Sequence, residues 1–219
     1  MNYSDLTLLT VSYNNNILTG MMLKSFYKML NNYDIKIVIV DNGDQIPVDD
    51  NIKSIFTVID NFNHKIIPKQ ENPSREHAAS IDYAFKHVID TKWCLLVDND
   101  ILFKENIKTL FDTLDLNKFD CMGEIGWDCT PPDRLFPYMC LINIEKFKQD
   151  NLNYYDRNRI IYDWKKLNKY DTGFSFYEDI KNTWIIKNIK LSDYIIHLKS
   201  GTLQNKDYLK WLKKYKNNY

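Results

Sequence analysis

The stretch "KWCLLVDNDILF", residues 92–103, sends an apolar run into two carboxylates, Asp98 and Asp100. The run Trp93-Cys94-Leu95-Leu96-Val97 reads as a buried strand. On an extended chain residues i and i+2 point to one side, so the two carboxylates converge just beyond the strand. Like charges that close repel unless a cation lies between them. A divalent metal is the natural cation, and oxygen ligation favours magnesium, manganese or calcium over zinc. Such an ion can bridge phosphate oxygens of a bound ligand. A lone DxD triplet also describes a surface turn or a helix cap, so its surroundings must decide.

Those surroundings alternate strands and helices. Residues 6–11 (LTLLTV) form a short apolar run ending in the polar cluster 12–16. Ile17, Met21, Met22, Phe26, Met29 and Leu30 then recur at helical spacing. Residues 35–44 (IKIVIVDNGD) read as a β-branched strand stopping at Asp41-Asn42-Gly43. One or two short strands are expected within 55–67. Pro73 and Ser74 open a helix whose apolar face carries Ala78, Ile81, Ala84, Phe85 and Val88. The strand 93–97 follows. This order implies an α/β domain with a mostly parallel sheet covered by helices. Ligands of such sheets bind outside the carboxyl ends of the strands. Three strands end there in polar clusters, SYNN, DNGD and DND, which together suggest a polar small-molecule site.

The second half is less regular. Residues 138–144 could be a strand, a helix is expected to start near Asp171, and IIKNIKL and DYIIHL read as strands. Residues 204–219 predict a basic terminal helix. It could lie on an anionic membrane surface or dock on the domain with its lysines solvated. No repeat, linker or domain boundary is evident, so a single domain is expected.

The chain has 219 residues, with 29 Lys+Arg balancing 29 Asp+Glu. Zero net charge gives no support for a polymeric nucleic acid partner. Of the four cysteines, Cys94, Cys121, Cys129 and Cys140, none forms a CxxC pair, which argues against a zinc site. Cys94 reads as core packing. No signal peptide or spanning segment is expected. These features suit a cytoplasmic protein, with peripheral membrane contact through the C-terminal helix as an option.

The ordered set "LLTVSYNN", "IVIVDNGD", "SREHAASIDYA" and "CLLVDND" resembles the GT-A-fold glycosyltransferases, nearest to their family 2 type. The resemblance is dense over the first 100 or so residues and loose beyond. It implies a Rossmann-like domain whose residues 1–103 bind a nucleotide-sugar, and whose residues 104–219 hold the acceptor and the catalytic base. Ser12 and Tyr13 would lie at the base and ribose, and Asp41 would accept a hydrogen bond from the base. Arg75 would approach the diphosphate, with Asn99 among the donor contacts; His77 would contact the diphosphate or the sugar, or else be a partly buried helix histidine. Asp98 would face the ribose or share the metal, and Asp100 would bind it. His197, at the end of a late apolar run, would be a third ligand or else a hydrogen-bonded core histidine. The ion would be manganese or magnesium.

Family members carry an acidic base at a helix start, often in Glu-Asp. Here Tyr170-Asp171 stands in that place, so Asp171 is the aligned carboxylate, with Glu178, Asp179, Glu124 and Asp128 as rivals. The implied reaction is transfer of a hexose-type sugar, with inversion, from a UDP-sugar (or a GDP-sugar) to a hydroxyl. The acceptor would be a carbohydrate, a lipid-linked molecule or a protein. Trp127, Trp164 and Trp184 could stack on a sugar ring or pack structurally. His64 and His87 read as surface residues. Two alternatives stay open: a sugar-1-phosphate nucleotidyltransferase, and a non-catalytic carbohydrate- or nucleotide-sugar-binding protein. The first would want a glycine-rich basic loop after the opening strand, and VSYNNN has none.

Overall fold

The structure is a computed structural model that describes residues 3–13, 15–30, 34–43, 56–70, 73–126, 134–154, 173–198 and 213–215. The first half runs β1 (Leu6–Ser12), α1 (Asn16–Leu30), β2 (Lys36–Asp41), β3 (Phe56–Asp60), α2 (Pro73–His87), β4 (Trp93–Asp98) and β5 (Ile101–Phe103). The second half adds α3 (Asn106–Thr113), β6 (Cys121–Gly123), β7 (Ile125–Gly126), β8 (Arg134–Leu135) and β9 (Met139–Asn143). It then continues with α4 (Ile144–Gln149), α5 (Phe174–Ile180), β10 (Ile186–Asn188) and β11 (Ile195–His197).

Seven strands form one sheet in the order β10-β6-β9-β4-β1-β2-β3. The β4-β1-β2-β3 portion is parallel, whereas β9 runs antiparallel to both β4 and β6. The sheet is therefore mixed but mostly parallel, as the alternating pattern implies. β5 pairs with β11, and β7 with β8, in two separate antiparallel pairs.

Side-chain alternation builds two cores, one on each face. Leu6, Leu8, Ile37, Ile39, Trp93, Leu95 and Val97 pack with Met22, Phe26, Met29 and Leu30 of α1. The opposite parity, Leu9, Val38, Val40, Cys94 and Leu96, packs with Ala78, Ile81, Ala84 and Phe85 of α2. All seven residues of β1 are buried, and among its polar members Thr7 and Ser12 are paired, with the hydroxyls of Thr91 at 2.7 Å and Thr19 at 3.0 Å. Ile17, assigned to the apolar face of α1, is instead 51% exposed in the first turn, outside the core stripe. Burial pushes the thiols of Cys94, Cys121 and Cys140 above their ordinary range.

Only one strand lies in the described part of 55–67. After β3 the chain enters a 3-10 turn at Phe62–His64, with Asn63 and His64 at positive φ. One strand lies within the expected one or two, and the buried Asn61 side chain explains why no second follows among the described residues. Its Oδ1 accepts from the amides of Ile66 and Ile67 at 3.1 and 2.7 Å. Its Nδ2 donates to Asn42 Oδ1 at 2.7 Å and to the Ile67 carbonyl at 3.3 Å. A side chain that satisfies local amides replaces the strand ladder. The late helix begins at Phe174, not near Asp171, because Gly173 precedes it at φ 87°, a left-handed conformation. Residues 170–172, Asp171 among them, lie outside the described residues, as do Trp127, Asp128, Trp164 and most of 204–219. Among the described residues, no helix is long and apolar enough to cross a membrane.

Candidate metal centre at the sheet edge

The parallel register brings polar strand ends together. Val11 is paired with Asp98, Ser12 with Asp41, and Asp41 with Asp60. Parity then directs each side chain. Asp98 follows Cys94 and Leu96 onto the α2 face, where His77 Nε2 lies 3.6 Å from its Oδ1. Ser12 faces α1, where its hydroxyl meets Thr19 Oγ1 at 3.0 Å. Asn99 Nδ2 donates to the same Thr19 oxygen at 3.2 Å. Thr19 thus clamps the end of β1 to the DND turn. No spacing rule marks it in the sequence.

Asp98 and Asp100 converge, though not along an extended strand. Asn99 and Asp100 form a turn, and the chain restarts as β5. The turn is held from the far end of the chain, because the Leu198 amide donates to the Asp100 carbonyl at 3.0 Å. The β5/β11 pairing sets His197 opposite Ile101, and His197 Nε2 comes within 3.3 Å of Asp100 Oδ1. Asp98, Asp100 and His197 each offer a ligand atom, all within 4.8 Å of one another. Asp100 is 3% exposed and Asp98 is partly buried. At an effective dielectric of ~20, two carboxylates at that separation repel by about 3 kcal/mol. Two hard carboxylate oxygens and one imidazole suit manganese better than magnesium, which prefers oxygen alone, so the donor set fits a divalent ion.

The other candidates are distributed around this cluster. Asp41 is 3% exposed, and its Oδ1 accepts from the Gly43 amide at 3.1 Å. Tyr13 is 52% exposed just past β1. Arg75 and His77 lie in the opening turns of α2, both part-buried. Asn42 Nδ2 donates to Ser80 Oγ at 2.7 Å, tying β2 to α2.

Trp184 packs in the core. It is 6% exposed, meets Phe176 edge-on, and its indole N–H donates to Asp150 Oδ2 at 2.8 Å. Of the two readings open for Trp184, structural packing is the one the structure shows. Glu178 is engaged by Lys181 at 2.8 Å, and Glu124 Oε2 accepts from the Leu191 amide at 2.7 Å. His64 is part-buried, 3.9 Å from Glu76, whereas His87 is exposed as expected.

A mixed, mostly parallel sheet with helices on both faces and an acidic turn after β4 defines the GT-A fold of glycosyltransferases. The glycosyltransferase GlyE of Streptococcus pneumoniae TIGR4 superposes with a TM-score of 0.54 at 15% identity, over 85% of this chain and 45% of that one. The mannosyltransferase PcManGT of Pyrobaculum calidifontis, solved with GDP-Man and Mn2+, gives 0.53 at 11% identity, over 84% and 54%. The chain thus spans about half the length of these two enzymes. No family model matches the sequence, and no curated protein matches it.

Proposed function

We propose that this protein is a metal-dependent glycosyltransferase that moves a sugar from a nucleotide-diphosphate sugar to an acceptor hydroxyl. The observation that carries the proposal is the Asp98, Asp100 and His197 cluster at the carboxyl edge of a GT-A sheet. Asp100 and His197 would hold a manganese or magnesium ion, with Asp98 sharing it or facing the ribose. When bound, such an ion supplies positive charge to the diphosphate leaving group. Tyr13 and Asp41 would flank the base, while Ser12 and Asn99, through Thr19, keep the two loops in place. Arg75 and His77 approach the diphosphate from the N-terminal turns of α2, where the helix dipole also favours anions. Asp171 would take the acceptor proton, giving inversion.

The donor is proposed to be a UDP- or GDP-sugar; the acceptor is a carbohydrate, lipid-linked or protein hydroxyl. Residues 1–103 then serve the donor and 104–219 the acceptor. A cytoplasmic enzyme touching the membrane through its C-terminal helix would meet a lipid-linked acceptor directly. Liposome co-sedimentation of a chain ending at Leu203 against the full chain checks this; equal binding ends it.

The central test is nucleotide release from UDP-, GDP- and CDP-sugars with Mn2+. Release by wild type, and its loss in Asp100→Ala and Asp171→Asn, is expected. Metal-independent release, or full release by Asp100→Ala, refutes the metal assignment. Wild-type turnover by Asp171→Asn refutes the base.

A further inference from the structure

One residue outside the cluster touches two of its three members. The Tyr138 carbonyl accepts from the Asp98 amide at 3.2 Å, and the Tyr138 ring lies on the His197 imidazole with centroids 3.9 Å apart and planes 26° apart. We propose that Tyr138 is a positioning residue for the metal site, fixing the plane of the His197 ring so that Nε2 faces the carboxylates. This rests on the reading that Asp98, Asp100 and His197 hold a divalent ion.

The geometry gives the reason. The χ2 torsion of histidine is broad and two-fold, so strand pairing alone leaves the ring free to turn. β11 is three residues long, with His197 last in it. A neighbour stacked on the ring face blocks that rotation yet leaves the ring edge, which carries both nitrogens, open to a ligand. Contact with the ring edge would cover the nitrogens instead. Tyr138 is itself braced. Phe136 stacks behind it at 5.4 Å and 22°, and the Arg134 guanidinium sits 5.3 Å over the Phe136 ring. Positions 134, 136 and 138 thus form a ladder that ends on the imidazole. Through its main chain the same residue holds Asp98, which arrives from the other half of the sequence. Ligand rings are commonly oriented by groups beyond the coordinating shell, and losing such a group costs about 10–100-fold in metal affinity.

The test is Mn2+ titration of the full chain, following the EPR signal of the free aquo ion, with circular dichroism to confirm folding. Wild type is expected to bind, and Asp100→Asn to lose binding. Tyr138→Phe, which keeps the ring, is expected within about twofold of wild type, and Tyr138→Leu about tenfold weaker. Tyr138→Met replaces the Leu variant if that one does not fold. In a His197→Gln background, adding Tyr138→Leu is expected to cost no more than about twofold, because the group it orients is gone. Two results overturn the inference while leaving the metal site intact. One is wild-type affinity in Tyr138→Leu alongside lost binding in Asp100→Asn. The other is a full tenfold cost of Tyr138→Leu in the His197→Gln background, which marks a general structural role. Absence of Mn2+ binding by wild type, or equal binding by Asp100→Asn, overturns the metal site and the inference together.

Discussion

Replacing Asp100 with Asn should stabilise the metal-free protein and abolish its response to metal. Asp98 and Asp100 present oxygens within 4.8 Å of each other, and their side chains are only 17% and 4% exposed. Their repulsion is about 3 kcal/mol at an effective dielectric of ~20, with little solvent screening to reduce it. The variant removes that repulsion. It also weakens the contact with His197 at 3.3 Å, whose charge-assisted part is about 1 kcal/mol. The main-chain bond from Leu198 to the Asp100 carbonyl is unaffected. The net expectation in EDTA at pH 8 is a gain of about 2 kcal/mol. At about 2–4 °C per kcal/mol for a chain of this length, Tm rises by about 4–8 °C. With Mn2+ at about 100 times Kd, wild type gains about 2.7 kcal/mol by mass action, and the variant gains nothing. The stability order of the two proteins therefore reverses between EDTA and saturating Mn2+, which differential scanning calorimetry reads directly. A variant less stable than wild type in EDTA, or an equal Mn2+ response in both, would refute the reasoning.

Further expectations rest on other parts of the molecule. Gly173→Ala puts a methyl at φ 87° with its Cβ 2.6 Å from the Leu135 carbonyl oxygen; the left-handed backbone and the clash together should cost about 3 kcal/mol in urea denaturation. Asn61→Ala removes four hydrogen bonds from a site 1% exposed and should cost about 3 kcal/mol, seen as a lower urea midpoint. The Trp184 indole N–H and then Lys146 hold the Asp150 carboxyl below the usual carboxylate range. Its folded pKa is depressed, so its stabilisation is complete above the unfolded pKa and disappears as pH falls through the folded one. Asp150→Asn should flatten the acid limb of the stability profile there by under about 1 kcal/mol, since the group is partly solvated. Cys94, Cys121 and Cys140 are buried with raised pKa; Ellman's reagent at pH 8 should leave them unlabelled until the protein is denatured.

What could be read from the sequence was local in origin. β1, β2 and β4 are apolar runs cut off by polar clusters, and α1 and α2 keep helical spacing, so the parallel core and its polar edge follow from pattern alone. Asp98 and Asp100 were visible as carboxylates at a strand end. His197 was visible only through a family resemblance, because its approach to Asp100 depends on β11 pairing with β5 across 97 positions (197 − 100). The turn that aims Asp100 is held from Leu198, so the two carboxylates converge through a turn and not along an extended strand. Tyr138 and Thr19 carry no motif at all; their roles exist only in the packed state. Whether 55–67 held one strand or two stayed open, because the turn at 61–67 is set by the Asn61 side chain, which hydrophobic pattern does not register. Trp184 stayed open between sugar stacking and packing, since an aromatic in a polar stretch looks the same either way, and the fold decided for packing.

The interleaving of β9 between β4 and β6 bears on whether the molecule is modular. A chain cut after Phe103 retains Asp98 and Asp100 but strips β4 of its antiparallel neighbour. A strand buried from Trp93 to Val97 would become an open edge, the kind of surface that recruits other chains. Residues 1–103 are therefore not a transferable cassette, although the polar strand-end motifs sit within them. Expressed alone, residues 1–103 should elute as aggregate in gel filtration, and a soluble, folded monomer would contradict this. Any natural shuffling of this scaffold would have to exchange whole sheets rather than sequence halves.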